Sequence, residues 1–275
     1  MRRISVKNVT VPALGFGTWA LSGNVAYQAT RMALDLGYRD IDTAQIYVNE
    51  AEIGRAIRDS AVPRDEIFLT TKIAPSNLRA ADLRRSHDES LKRLGLDQVD
   101  LLLIHWPNAS IPLGETLEAL GRLRDAGKAR AIGVSNFTVA LLKETLERYG
   151  ADIVCNQVEY HPFLSQRALS AEMRRHGLVL TAYAPLARGR VFRDKTLAAI
   201  GKKYGKSGGQ VALRWLLDQD KVCAIPKAGK REHAAANIDI FDFVLAPEDR
   251  AAIDKLADGD RLVEWGGYSP RWDEG

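Results

Sequence analysis

The sequence predicts an α/β fold, a closed (β/α)8 TIM barrel with an N-terminal β-hairpin and an aromatic C-terminal loop. Three observations carry this expectation. Strand-like and helix-like runs alternate eight times along 275 residues. The strand runs are continuously apolar rather than alternating, as strands buried on both faces are. Polar side chains recur where those runs stop, which is where barrel enzymes keep their chemistry. The stretch VDLLLIHWP at 99–107 shows all of this in nine residues, since its apolar core delivers His105, Trp106 and Pro107 at its end.

Taken in order, residues 4–11 alternate loosely around Lys7 and Asn8, as a short hairpin does. ALGFGTW at 13–19 is the first barrel strand, and Ala29, Met32, Ala33 and Leu36 after it line one helical face. Gly37 closes that helix. The next units pair a strand at 39–43 with a helix at 49–59, and a strand at 67–72 with a helix at 77–94. The fourth and fifth pair 99–105 with 114–125, and 129–135 with 139–149, where Leu142, Leu146 and Tyr149 line up. The sixth pairs 153–160 with 166–175; the seventh pairs 179–185 with 195–204. A further helix at 209–218 leads to the eighth strand at 222–226. Each unit has about the 30 residues a βα pair needs. The chain, residues 1–275, is therefore read as a single barrel domain.

A doubly wound open sheet is the competing architecture. It would show a glycine-rich phosphate turn after its first strand, and LGFGTW lacks the third glycine. The aromatic residues at 258–275, Trp265, Tyr268 and Trp272, follow no helical or strand period. They read either as a tail folded across the barrel mouth or as a loosely ordered terminus.

The composition, 46% hydrophobic and 27% charged, is that of an ordinary globular protein. Cys155 and Cys223 lie far apart in apolar runs, which favours buried free thiols and a reducing compartment. No signal segment and no apolar run of about 18 residues is present, so the expectation is a cytoplasmic protein with no membrane partner. The net charge of +4 is dispersed. With no basic stripe interleaved with aromatics, no nucleic-acid partner is expected.

Asp42, Tyr47, Lys72 and His105 stand at or just beyond the ends of neighbouring strands and form the candidate catalytic set. A phenol with an ordinary pKa of about 10 is a poor acid near neutrality. An adjacent ammonium would lower it, so Lys72 is expected to depress Tyr47, with Asp42 holding Lys72. His105 could donate a hydrogen bond to a carbonyl oxygen becoming an alkoxide. Singly, Asp42 reads equally as a cap and His105 as a core histidine, and barrel charges also form purely structural networks. None of the four accepts a hydride, and no H-E-x-x-H, C-x-x-C or G-x-S-x-G is present. No metal is expected, and a cofactor would carry the hard step. Ser135, Asn136 and Gln157 could bond an amide and Tyr183 could stack on a flat ring. Lys227, Lys230 and Arg231 read either as a phosphate patch or as a solvated helix start. Two other functions remain open: a nucleotide-binding regulatory module, and an aldolase-like barrel using Lys72 as a Schiff-base amine.

LGFGTW (14–19), DTAQIYVNE (42–50), LTTK (69–72), LLIHWP (102–107), GVSNF (133–137), NQVEYHP (156–162), AYAPLARG (182–189) and IPKA (225–228) together resemble the aldo-keto reductase superfamily. The resemblance runs from about residue 4 to residue 265 and is nearest to the short-loop bacterial 2,5-diketo-gluconate and methylglyoxal reductases. It implies a (β/α)8 barrel that binds NADPH without a Rossmann domain, and a small-molecule carbonyl substrate. Tyr47 would be the proton donor, tuned by Lys72 and Asp42, and His105 would orient the carbonyl. On the cofactor it implies Thr18, Asp42 and the amide ligands Ser135, Asn136 and Gln157. Tyr183 would lie under the nicotinamide, with Pro185 and Leu186 along the pyrophosphate. Lys227, Ala228, His233 and Asn237 would face the adenosine phosphate end. Trp19, Tyr47, His105, Trp106 and Trp265 would shape the substrate pocket. Ala228 stands where the family often has serine, His233 where NADP-selective members have arginine, and Ala236 where glutamate is frequent. Loss of a forked guanidinium weakens phosphate recognition, so NADPH is expected to be preferred with some NADH use. The short 108–112 loop implies an open site with broad acceptance, and the family's habit implies a monomer.

Overall fold

The structure, a computed structural model, describes residues 2–273. It opens with an antiparallel hairpin, β1 (Arg3–Val6) and β2 (Val9–Pro12), whose Ile4–Val11 and Val6–Val9 pairs face inward and are buried. Eight parallel strands follow: β3 (Phe16–Gly17), β4 (Asp40–Asp42), β5 (Phe68–Ile73), β6 (Val99–Ile104), β7 (Ala129–Ser135), β8 (Cys155–Glu159), β9 (Val179–Tyr183) and β10 (Val222–Ala224). Each pairs with its neighbours in chain order. A Leu14–Ala224 bridge, with Gly15 N–H donating to Ala224 O at 2.9 Å, joins the last strand to the first and closes the barrel.

That seam explains why β3 and β10 are shorter than the apolar runs at 13–19 and 222–226. Ladder pairing there gives way to close backbone approach. A Cβ on Gly15 would lie 2.2 Å from Asp40 Oδ2, and one on Gly17 would lie 2.7 Å from Ile225 O. The glycines of LGFGTW serve closure, not a phosphate turn. Asp40, buried at the seam, is pushed by desolvation well above the usual carboxylate range.

Helices pack outside in the expected sequence: α1 (Gly23–Asp35), α2 (Glu50–Arg58), α3 (Ala80–Leu94), α4 (Leu113–Asp125), α5 (Val139–Lys143), α6 (Arg167–Arg175), α7 (Lys195–Tyr204) and α8 (Gly208–Leu217). The segment at 139–149 departs from a regular helix, because α5 widens into a π-helical turn over Glu144–Arg148. Two helices lie outside the eight βα units of the sequence reading, which offers a helix start near Lys230 and Arg231 as one alternative for the first and nothing for the second. These are α9 (Arg231–Ile238) and α10 (Pro247–Asp254), half of the latter's residues being charged and Pro247 standing in its first turn. Its Asp249 is buried because Lys203 Nζ and Tyr204 Oη bond it at 2.5 and 2.7 Å. Both cysteines are free and buried. No helix among the described residues is long and apolar enough to cross a membrane.

The tail from residue 258 onward folds back over the mouth. Its backbone amides at Asp258, Gly259 and Asp260 converge on Phe163 O at 3.1, 3.1 and 3.3 Å. Trp265 packs edge-on against Trp106 and Tyr268, and Trp106 also meets Trp272. Of the predicted 258–275 loop, residues 274–275 lie outside the described residues.

One β-branched loop residue carries visible strain. Val48, directly after the turn that holds Tyr47, sits at φ 53° and ψ 37° although it is β-branched, and it is 84% exposed. No packing offsets the conformation. Val48→Asn, which tolerates the left-handed region, is expected to stabilise by about 1 kcal/mol and raise Tm by about 3 °C in thermal unfolding. An unchanged or lower Tm would refute this.

Candidate active site

Strands β4, β5 and β6 bring the four catalytic candidates together at the C-terminal mouth. Asp42 ends β4, Lys72 lies one residue before the end of β5, and His105 follows β6; Tyr47 projects from a single 3-10 turn, Gln45–Tyr47. Lys72 is completely buried, and its Nζ donates to Asp42 Oδ1 and, at 2.9 Å, to Thr43 O. Gln157 Nε2 donates to the other carboxylate oxygen, Asp42 Oδ2, at 2.7 Å. Thr18 N–H and Oγ1 both donate to Asp42 O, at 3.0 and 2.9 Å. Lys72 Nζ stands 5.2 Å from the centre of the half-buried Tyr47 ring, which meets His105 edge-on at 5.5 Å.

The expected depression of Tyr47 by Lys72 is overturned. Removal from water raises the phenol well above its ordinary 10, and the charge of Asp42 raises it further. The reason is where the ammonium points: its protons serve Asp42 and the Thr43 carbonyl, and Asp42 balances its charge. Burial also lowers Lys72 itself, against the pull of Asp42. His105 is pushed well below its usual range, first by burial and then by the Lys72 charge, so its ring is neutral. Its Nδ1 is buried without a partner. The set is thus a protonated phenol beside a neutral imidazole, backed by a buried ion pair.

Asp42, Tyr47 and His105 line one end of a cleft of about 950 Å³, a volume suited to a sizeable organic ligand, with Lys72 buried behind them. Trp19, Tyr47, His105, Trp106 and Trp265 all line that end. Along the floor, Asn136 adopts φ 63° and joins three elements: its Nδ2 donates to His105 O and Ser135 Oγ, at 3.0 and 3.1 Å, and its Oδ1 accepts from Tyr183 Oη at 2.7 Å. Pro185 and Leu186 continue the wall, and Lys227, His233 and Asn237 line the far end.

Three expected cofactor residues do not reach the cleft. Thr18 and Ser135 are buried behind Asp42 and Asn136, which they hydrogen-bond, and Ala228 is buried under the loop that exposes Lys227. Their place is support of the groups in front. Of the basic patch, Lys230 and Arg231 are exposed outside the cleft, with Lys230 4.0 Å from Glu232.

The sequence reading missed the wall at Ala187–Phe192. Arg188 and Gly189 break its 3-10 turns at φ 48° and 95° and line the cleft, and Arg188 reaches to 5.5 Å from the Trp19 ring across the mouth. Arg190 behind them pairs with Asp258 and Asp260, each at 2.5 Å, and lies 3.8 Å over Phe163. The A-R-G-R spelling after a strand end was the available signal. Val263 and Glu264 of the tail were missed as well, although they flank a tryptophan already singled out.

The strained backbone at Asn136, Ala184 and Arg188, clustered along one wall, marks a site built to hold a ligand. Amide groups at one end and Lys227 at the other fit an extended nicotinamide dinucleotide. Comparison with known proteins agrees. The sequence profile of the Aldo/keto reductase family matches residues 13–258. Methylglyoxal reductase DkgB of Salmonella typhi is 41% identical over 268 residues, covering 96% of this chain and all of that protein. The crystal structure of a protein provisionally named 2,5-diketo-D-gluconic acid reductase B is 46% identical with a TM-score of 0.93, over 96% of this chain and 94% of the other. The aldo-keto reductase MGS-M4, from a Medee basin deep-sea metagenome library, is 40% identical with a TM-score of 0.90, over 94% and 95%. A barrel closed in this way, with this quartet at its mouth and these relatives, belongs to the aldo/keto reductase family of nicotinamide-dependent oxidoreductases.

Proposed function

We propose that the chain acts as one barrel domain, a monomeric cytoplasmic enzyme that reduces aldehydes, α-dicarbonyls or keto-sugars to alcohols with NADPH. The observation that carries this reading is the Tyr47 phenol packed against the His105 ring, 5.5 Å between ring centres, at one end of a cleft long enough for a dinucleotide. The bound nicotinamide supplies the hydride. Everything else falls to side chains of the chain. Tyr47 Oη gives its proton to the carbonyl oxygen as negative charge develops there. With His105 Nδ1 lacking an acceptor, the ring keeps its proton on Nε2, which orients the same oxygen. Lys72 places positive charge behind the phenol, and Asp42 fixes Lys72.

In the same reading Asn136 and Gln157, held by Ser135 and Asp42, take the carboxamide. Tyr183 offers its ring to the nicotinamide, Pro185 and Leu186 flank the pyrophosphate, and Lys227, His233 and Asn237 take the adenosine end. Trp19, Trp106 and Trp265 border the substrate. Methylglyoxal, the substrate in the name of the Salmonella relative, is small enough for this open end.

NADPH absorbance is expected to decay with methylglyoxal, a keto-sugar and an aromatic aldehyde alike. The kcat/KM for NADPH should exceed that for NADH, whose use stays measurable. Lys227→Ala is expected to raise the KM for NADPH about fivefold, the loss of one exposed charge-assisted contact, and leave that for NADH unchanged. A preference for NADH, or no turnover of any carbonyl, would overturn the proposal.

A further inference from the structure

Glu159 ends β8 two residues beyond Gln157, and its carboxyl is fully buried. It takes no part in the chemistry above. Both oxygens act as acceptors: Leu262 N–H donates to Oε1 at 2.8 Å and Val263 N–H to Oε2 at 2.9 Å, while His161 Nε2 stands 2.9 Å from Oε1. No arginine or lysine pairs with it among the described residues. An acidic side chain placed so deep is costly unless its oxygens are satisfied, and an apolar residue would serve packing equally well. What the carboxyl adds is direction. Two adjacent amides on two oxygens of one rigid group fix both the position and the heading of the tail at 262–263.

That heading aims the next two residues, Glu264 and Trp265, into the substrate end of the cleft. There the Trp265 ring stands 6.2 Å from His105 and 6.1 Å from Trp106. Among the described residues, the earlier backbone ties of the tail, at 258–260, end on Phe163 O. The bonds after Trp265 are local, Tyr268 N–H to Trp265 O and Trp265 N–H to Ser269 Oγ, until Asp273 meets Val139 N–H at 2.8 Å. Glu159 is therefore the last barrel group to grip the tail before Trp265. We propose that Glu159 is a positioning residue for the substrate pocket: its carboxyl clamps the 262–263 backbone and so sets Trp265 over the reacting carbonyl, without touching substrate or cofactor. The proposal rests on the carbonyl-reductase reading of the cleft.

Glu159→Gln keeps the shape but turns one acceptor into a donor, so one tail N–H must face an NH2 group. Val263→Pro removes the other partner of the clamp and leaves the barrel intact; Val263→Ala keeps that N–H and controls for the lost side chain. In Glu159→Gln and Val263→Pro, the KM for methylglyoxal is expected to rise about tenfold. kcat should stay within about threefold and the NADPH Kd, from fluorescence titration, within about twofold. Amides at 262–265 should exchange at least about tenfold faster by hydrogen–deuterium exchange; Val263→Ala, which trims a cleft-lining side chain but keeps its N–H, should retain wild-type exchange and is the reference for the KM of Val263→Pro. Unchanged exchange at 262–265 with unchanged KM would overturn the clamp. So would a parallel fall of NADPH affinity and Tm, which would mark Glu159 as merely structural. If Glu159→Gln fails to fold, Val263→Pro against Val263→Ala still decides. Wild-type protein that turns over no carbonyl would sink the reading of the site, and the exchange comparison would then judge the clamp alone.

Discussion

Replacing Tyr47 by phenylalanine is expected to lower kcat for NADPH-dependent carbonyl reduction by about 10³-fold, the scale of a lost general acid, while NADPH binds within about threefold of wild type. The ring stays packed against His105, so only the proton is removed. The pH dependence comes from the same environment. The phenol is raised above its ordinary 10 and reduction needs it protonated, so the alkaline loss of kcat/KM should begin only above pH 10. His105, lowered well below 6.5, is already neutral above that pH and adds no break there. A plateau from about pH 6.5 to beyond 9 is the expected profile. An alkaline limb centred near pH 8, or a Tyr47→Phe protein retaining a tenth of wild-type kcat, would remove Tyr47 from its role.

Lys72→Met should be the most destabilising single change at the site. It leaves Asp42 deep in the barrel with Gln157 as its remaining side-chain partner. Breaking a buried ion pair from one side costs about 3–5 kcal/mol, which for a chain of this size lowers Tm by about 10 °C. Turnover should fall with it, since Asp42, stripped of its counter-ion, raises the phenol further. Asp42→Asn combined with Lys72→Met is expected to recover much of the stability, because no unpaired charge remains, and none of the activity. Additive losses of stability in the double variant would show that the two side chains do not act as a pair.

The barrel was legible because its strands are apolar runs that stop at polar residues, and VDLLLIHWP states that pattern nearly alone. The helix α10 was not, because its burial depends on Asp249 meeting Lys203 and Tyr204, some 45 residues earlier in the chain, rather than on an apolar stripe. The catalytic quartet could be collected from strand ends. The direction of the Tyr47 shift could not, since it turns on which acceptors the Lys72 ammonium faces, a matter of angles and not of composition. That Thr18 Oγ1 donates to Asp42 O and Ser135 Oγ accepts from Asn136 Nδ2 was not legible either, because each bond depends on how the strand ends face one another. The wall at Ala187–Phe192 escaped because positive φ angles at Ala187, Arg188 and Gly189 shape it and Asp258 and Asp260, seventy residues on, pin its Arg190.

The barrel takes hold of the tail by main-chain groups: Phe163 O receives the amides of 258–260 and Glu159 those of 262–263. Nearly any amino acid presents the same amide. Asp258 and Asp260 also hold Arg190 through their carboxylates, but the side chains of Val263 and Glu264 are released from the duty of attachment to the barrel, and mutations that exchange them alter the pocket without loosening its cover. Such a joint lets the catalytic machinery stay fixed while selection tries new substrates one tail residue at a time.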